Sequence, residues 1–191
     1  MSVQQKEQDL KVVSIIERWW KSMFLSTIEL EKLNIYPAPT VFKAQLRRSS
    51  TLEAIVMTDG FRSLWFQLPQ EWREQYGETR FEQIALLAGA LVYIKQDVEQ
   101  AVAELAGQKE AGKDKSPVSP MRFSQLLESQ DNTEFLRRLR RVLALLDGKA
   151  NVHRLVSDLN KWFLQKNVFK DTPSSKRVVV RWAMDYYKFS N

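Results

Sequence analysis

Apolar residues return at every third or fourth position through nearly the whole chain, and no stretch alternates convincingly with a period of two. That spacing belongs to the α-helix, whose 3.6-residue turn brings i, i+3, i+4 and i+7 onto one face. A chain patterned this way lacks strands to pair, so the expectation is an all-α protein. With 191 residues it is long enough to bury a core without staples. Hydrophobic residues make up 44% and aromatics 11%, which separates it from disordered chains.

The first helix is expected over Gln5 to Phe24, where Val12, Val13, Ile15, Ile16, Trp19, Trp20 and Phe24 form a broad apolar face. Pro37 and Pro39 break the chain, and Thr40 is placed to cap a helix running through Leu46 and Arg48. Asp59-Gly60 reads as a turn. Pro69 then opens a short helix holding Trp72 and Tyr76. The apolar positions Ile84, Leu87, Leu91, Ile94, Val98, Val102 and Leu105 predict one long helix over Glu82 to Ala106, with Gly107 as its stop.

The segment from Gln108 to Ser119 is Lys, Gly, Ser and Pro with little apolar content, and reads as a linker or long loop. Four helices are expected after it: one starting at Pro120, then Thr133 to Leu146, Asn151 to Gln165 and Ser175 to Phe189. Short connections between four helices suggest an antiparallel bundle. The expected organisation is therefore a helical domain over 1–107, a linker over 108–119 and a basic helical bundle over 120–191.

Charge divides the chain at the same place. Residues 1–110 carry 13 Lys and Arg against 15 Asp and Glu, and residues 111–191 carry 16 against 8. The whole chain is +6, with a pI near 9.5. A mildly acidic half joined to a strongly basic one suggests a protein-facing part and a part that meets a polyanion. The plain alternative is that surface lysines happen to cluster.

Several function classes fall away. There is no cysteine, which excludes disulfides, thiol nucleophiles, thiolate zinc sites and Fe–S clusters. With His153 as the single histidine, a His-rich metal site is excluded and any Ser-His-Asp chemistry hangs on that residue. There is no phosphate-binding glycine loop and no dinucleotide or zincin motif. The acidic residues of the second half are scattered over different helices, which is poor ground for a metal-dependent nuclease. The N-terminus is polar, and the longest apolar run, Ile84 to Ile94, is shorter than the ~20 residues a membrane span needs. A soluble cytoplasmic protein without membrane contact is expected. Trp19, Trp65, Trp162 and Trp182 lie among apolar neighbours and are read as core.

The sharpest feature is the helix from Thr133 to Leu146. At 100° per residue, Leu136, Leu139, Val142, Leu143 and Leu146 form one side, and Arg137, Arg138, Arg140 and Arg141 are read onto the other. Like charges at i,i+4, such as Arg137 and Arg141, repel by a few tenths of a kcal/mol. Guanidinium is also the better phosphate ligand, because its planar fork binds two oxygens at once. The reading is nucleic-acid contact, against a solvated face paired with Glu128, Asp131 or Asp158. Lys43, Arg47 and Arg48 form a second cluster, for which an internal salt bridge is equally open. Arg122, Lys149, Arg154, Lys176, Arg177 and Arg181 stand at loop ends and helix starts, where phosphates are usually met.

Taken in order, R-F-S-Q-L-L (Arg122 to Leu127), F-L-R-R-L-R-R-V-L-A-L-L (Phe135 to Leu146), N-V-H-R-L-V-S-D-L-N-K-W (Asn151 to Trp162) and V-R-W-A-M-D-Y-Y (Val180 to Tyr187) make a set. With A-Q-L-R-R (Ala44 to Arg48) it resembles the small subunit of the type I-E CRISPR Cascade complex, the CasB family. The tryptophan-rich N-terminal helix and the Phe61–Tyr76 segment lie outside the resemblance. It implies an all-helical, non-catalytic protein without a cofactor, set among backbone and large subunits, a second copy of itself and the guide RNA. It further implies sequence-independent binding of target DNA and displaced single-stranded DNA in the R-loop. Arg47, Arg48, Arg122, Arg137, Arg138, Arg140 and Arg141 are the matching basic positions. Two other readings stay open: a helical adaptor that binds only protein, and an unrecognised metal-dependent nuclease.

Overall fold

A computed structural model describes residues 3–109, 112 and 114–190 of the chain. Among these residues the structure is helical, with one two-residue parallel pairing as its sole sheet. The chain forms two compact units, Met1–Val92 and Tyr93–Asn191. The division therefore falls at Val92/Tyr93, whereas the expected linker spans 108–119.

The first unit holds α1 (Val3–Phe24), α2 (Thr27–Lys32), α3 (Thr40–Arg48), α4 (Leu52–Val56), α5 (Asp59–Gln67), α6 (Gln70–Glu74) and α7 (Glu78–Leu91). Helix α1 buries Val12, Val13, Ile16, Trp19, Trp20 and Met23, the face its periodicity implies. It ends before α2 because Ser26 and Glu29 form a reciprocal cap. The Ser26 hydroxyl accepts from the Glu29 amide, and the Glu29 carboxylate accepts from the Ser26 amide at 2.9 Å. Helix α3 starts behind Pro39 with Thr40 as its first residue, so Thr40 does not cap it.

Asp59-Gly60 is not a turn. The Thr58 hydroxyl caps α5 by accepting from the Phe61 amide at 3.1 Å, and Gly60 sits in the first helical turn. A Cβ at Gly60 would lie 2.8 Å from Leu46 Cδ1, so glycine is there to let α3 and α5 approach. Helix α7 is buried on every side from Ile84 to Leu91, which marks it as the centre of this unit.

The second unit holds β1 (Gln96–Asp97), α8 (Val102–Gly107), α9 (Pro120–Leu127), α10 (Asn132–Leu145), β2 (Lys149–Ala150), α11 (Val152–Asn167) and α12 (Val178–Ser190). The helix expected over Glu82 to Ala106 is thus two helices with extended chain between them. The break has a backbone cause. The Lys95 and Gln96 amides donate to Gly148 O at 2.8 and 3.2 Å, and the Val98 amide to Ala150 O at 3.1 Å. The Asp97 carboxylate accepts from the Val152 amide at 2.9 Å, at the start of α11. A continuous helix would forgo all of these. The 3–4 spacing persists through the break because Ile94 and Val102 still enter the core.

The segment after α8 is held to this unit. The Ser116 hydroxyl donates to Gly107 O at 2.6 Å, the Val118 amide to Ala106 O at 3.3 Å, and the Tyr186 hydroxyl to Val118 O at 2.7 Å. Val118 is fully buried. Glu110, Ala111 and Lys113 of the expected linker lie outside the described residues. Gly107 is the last residue of α8 and lies against α12: a Cβ there would meet Tyr186 O at 2.3 Å. Trp162 stacks on Phe135 at 3.6 Å, and buried Asp158 accepts from the Trp182 indole at 2.7 Å. Trp19, Trp162 and Trp182 are core as expected, while Trp65 is half-buried against Phe81. No helix among the described residues is long and apolar enough to cross a membrane.

Candidate nucleic-acid interface

Helix α10 begins where the Asp131 carboxylate accepts from the Glu134 amide at 2.8 Å. Its Phe135, Leu136, Leu139, Val142 and Leu143 are buried, and that stripe fixes which side chains are left outside. Arg137 is 60% exposed at its side chain, 3.9 Å from Glu134. Arg138 pairs with the same carboxylate at 2.8 Å and donates to Gln125 O, which ties α10 to α9. Arg141 is exposed and has no ion pair among the described residues.

Arg140 does not belong to this arc. It is 8% exposed, with its guanidinium 5.0 Å from the centre of the Tyr93 ring. The reason lies in the helical wheel: residue 140 follows Leu136 by four and precedes Leu143 by three, so it rides the apolar stripe. Burial pushes its pKa below the usual arginine range, partly offset by Tyr93.

Across from the arc, α9 starts at Pro120 and buries Phe123 and Leu126, leaving Arg122 exposed. Arg122, Arg137, Arg138 and Arg141 line one cleft of 590 Å³, floored by Val142, Ala144 and Leu145. Glu134 is the one carboxylate paired with any of these four among the described residues. Four guanidiniums border this cleft, and two of them, Arg122 and Arg141, have no carboxylate partner among the described residues. Arg122 also borders a second cleft of 700 Å³ that adds Lys109 and Lys115. Lys109 in turn borders a third, of 320 Å³, with Lys149. Lys109 and Lys115 escape sequence reasoning because they stand in a stretch read as a linker, and only the anchoring of Ser116 and Val118 brings them beside α9.

The other expected residues stand elsewhere. Arg154 pairs with Glu104 at 3.2 Å, which joins α11 to α8 and occupies its charge. Arg181 pairs with Asp158, and Arg177 donates to Thr172 O and Lys170 O. Lys43, Arg47 and Arg48 belong to the first unit. Arg47 Nε donates to Val92 O at 3.2 Å, satisfying a carbonyl at the end of α7, and Lys43 lies 5.2 Å from the Phe24 ring centre. Arg48 is exposed. His153 is exposed in the first turn of α11. No group of three or more His, Asp or Glu side chains positioned to hold a metal occurs among the described residues.

A family model described as CRISPR-associated protein Cse2 matches residues 43–187, a span that holds the whole expected basic set. A CRISPR-associated protein Cse2 of Thermus thermophilus is 30% identical over 120 residues, covering 61% of this chain and 60% of that protein. The match thus spans less than two thirds of that relative's length. No solved structure matches the chain. The matched span takes in the arginine-lined cleft, the helices that build it and the L-R-R segment of α3, and on that footing the chain belongs to the Cse2 family, the type I-E Cascade small-subunit family its basic helices resemble.

Proposed function

We propose that this chain is a non-catalytic subunit of a type I-E Cascade complex in antiviral defence, binding nucleic acid without sequence preference and prolonging the open R-loop. The observation that carries the reading is the cleft lined by Arg122, Arg137, Arg138 and Arg141, with Glu134 as its paired carboxylate. Target and displaced DNA strands are its ligands; the backbone and large subunits, a second copy and the guide RNA are its neighbours. Lys149 extends the basic surface of the same unit. Lys43, Arg47, Arg48 and Arg154 are auxiliary contacts, because Arg47 and Arg154 already have internal partners.

This role requires no active site. Exchange of a DNA duplex for an RNA–DNA heteroduplex is close to balanced in free energy, so a few backbone contacts decide whether the open state persists. Contacts to phosphates carry no base information, which suits a subunit that serves every guide.

The test is binding of the purified chain to strands of unrelated sequence over a salt series, with Mg²⁺ and then Mn²⁺ added. The expected result is equal affinity for every sequence, a linear fall of log affinity with log salt, and intact strands throughout. A marked sequence preference or absent binding would overturn the nucleic-acid part, and metal-dependent cleavage the non-catalytic part.

A further inference from the structure

The 700 Å³ cleft beside Arg122 has an aromatic wall that phosphate binding leaves unused. Tyr187 stands in the last turn of α12 and is 50% exposed. Its ring is held edge-on against Tyr186, centroids 5.3 Å apart at 89°. Tyr186 is itself fixed, stacked on Phe123 at 4.4 Å with its hydroxyl donating to Val118 O. The exposed ring is therefore the outer member of a packed aromatic ladder and not a loose side chain. Lys109, Lys115 and Arg122 surround it, with Asp114 as the one carboxylate lining the cleft among the described residues.

We propose that Tyr187 is a base-stacking platform, so that this surface takes unpaired nucleotides in preference to duplex. The inference rests on the phosphate-binding reading above. A strand whose phosphates lie along Arg137, Arg141 and Arg122 continues into the cleft where Lys115 and Lys109 supply the next cations. Its bases then need an apolar surface. A single strand can turn a π-face onto Tyr187, whereas a duplex keeps its bases stacked on one another. Stacking tolerates any base, which agrees with sequence-independent binding. A protein partner for the ring is the alternative, and it predicts equal binding of oligothymidylate by wild type and Tyr187→Ala.

The full-length chain, its Tyr187→Ala and its Tyr187→Phe variants are titrated with oligothymidylate, with an abasic strand carrying the same phosphates, and with duplex. Tyr187→Ala should bind oligothymidylate about tenfold more weakly, the loss of one stacked base. Its affinity for the abasic strand and the duplex, its salt slope and its melting temperature should not change, since no phosphate contact is lost. Tyr187→Phe should behave as wild type. Equal binding of oligothymidylate by wild type and Tyr187→Ala would overturn the proposal. So would an equal loss on the abasic strand. Failure of the wild type to bind any of the three probes would sink the phosphate reading itself, a result distinct from wild-type binding that Tyr187→Ala leaves intact.

Discussion

Replacing Arg137 and Arg141 together with glutamate should weaken nucleic-acid binding about 100-fold while leaving the melting temperature where it was. Two lost contacts at the low end for hydrogen bonds between charged groups, each roughly 1.5 kcal/mol, supply that factor. The salt slope should fall by about 1.8 for duplex DNA, or about 1.4 for a single strand, because each contact releases its own counterions. The loss should be the same on every sequence. Both side chains are exposed on the face opposite the buried stripe of α10, Arg141 has no ion pair among the described residues and Arg137 only a 3.9 Å one, so stability should move by no more than ~0.5 kcal/mol. Arg140→Ala makes the contrast. It removes a buried guanidinium from the Tyr93 ring and should cost about 1–2 kcal/mol of stability with affinity unaltered. Salt-resolved titration and thermal melting of the variants check both. Loss of affinity in Arg140→Ala but not in the double variant would reverse the assignment of the arc.

Gly107→Ala should damage the fold itself. The added methyl would sit 2.3 Å from the Tyr186 carbonyl oxygen, and 3.1 Å from its carbon. These are backbone atoms of α12, so no rotamer change relieves the clash, and α8 and α12 must move apart. Tyr186 is fully buried there, stacked on Phe123, with its hydroxyl holding Val118. Overpacking against rigid neighbours costs about 3 kcal/mol, which for a chain of this size lowers Tm by roughly 6–12 °C. Gly77→Ala is the comparison. Its φ of +53° and ψ of −134° are strained for alanine, but no atom lies within 4 Å of the new Cβ, so the expected cost is backbone strain alone, about 1–3 kcal/mol, with α8 and α12 left in place. A melting curve for Gly107→Ala that overlays wild type would show that the α8–α12 approach is looser than the geometry states.

The expectations that held are those set by local rules. Pro120 opens α9, a helix follows Asn151, and the apolar faces of α1 and α10 are buried as their spacing implies. A helix face is a property of residues within two turns of one another, so it can be read from sequence alone. The expectations that failed concern the same residue types under distant influence. Charge alone places Arg140 on the wet face, yet its position between Leu136 and Leu143 and the Tyr93 ring draw it inside. Gly60 looked like half of a turn but serves a helix crossing against Leu46.

By itself, the sequence determined the helical class, the position of the basic helices and the exposure of Arg137 and Arg141 on α10, because periodicity, caps and charge act over one or two turns. Tertiary structure decided where the long apolar run breaks, since amides 95, 96 and 98 turn to carbonyls 148 and 150, some fifty residues away. It also decided which cations share a cleft. Lys109 and Lys115 meet Arg122 only because the chain after α8 is tied down through Ser116 and Val118. Hydrogen bonds between residues far apart in sequence leave no periodic trace, and a site assembled by them becomes visible only once the chain has folded.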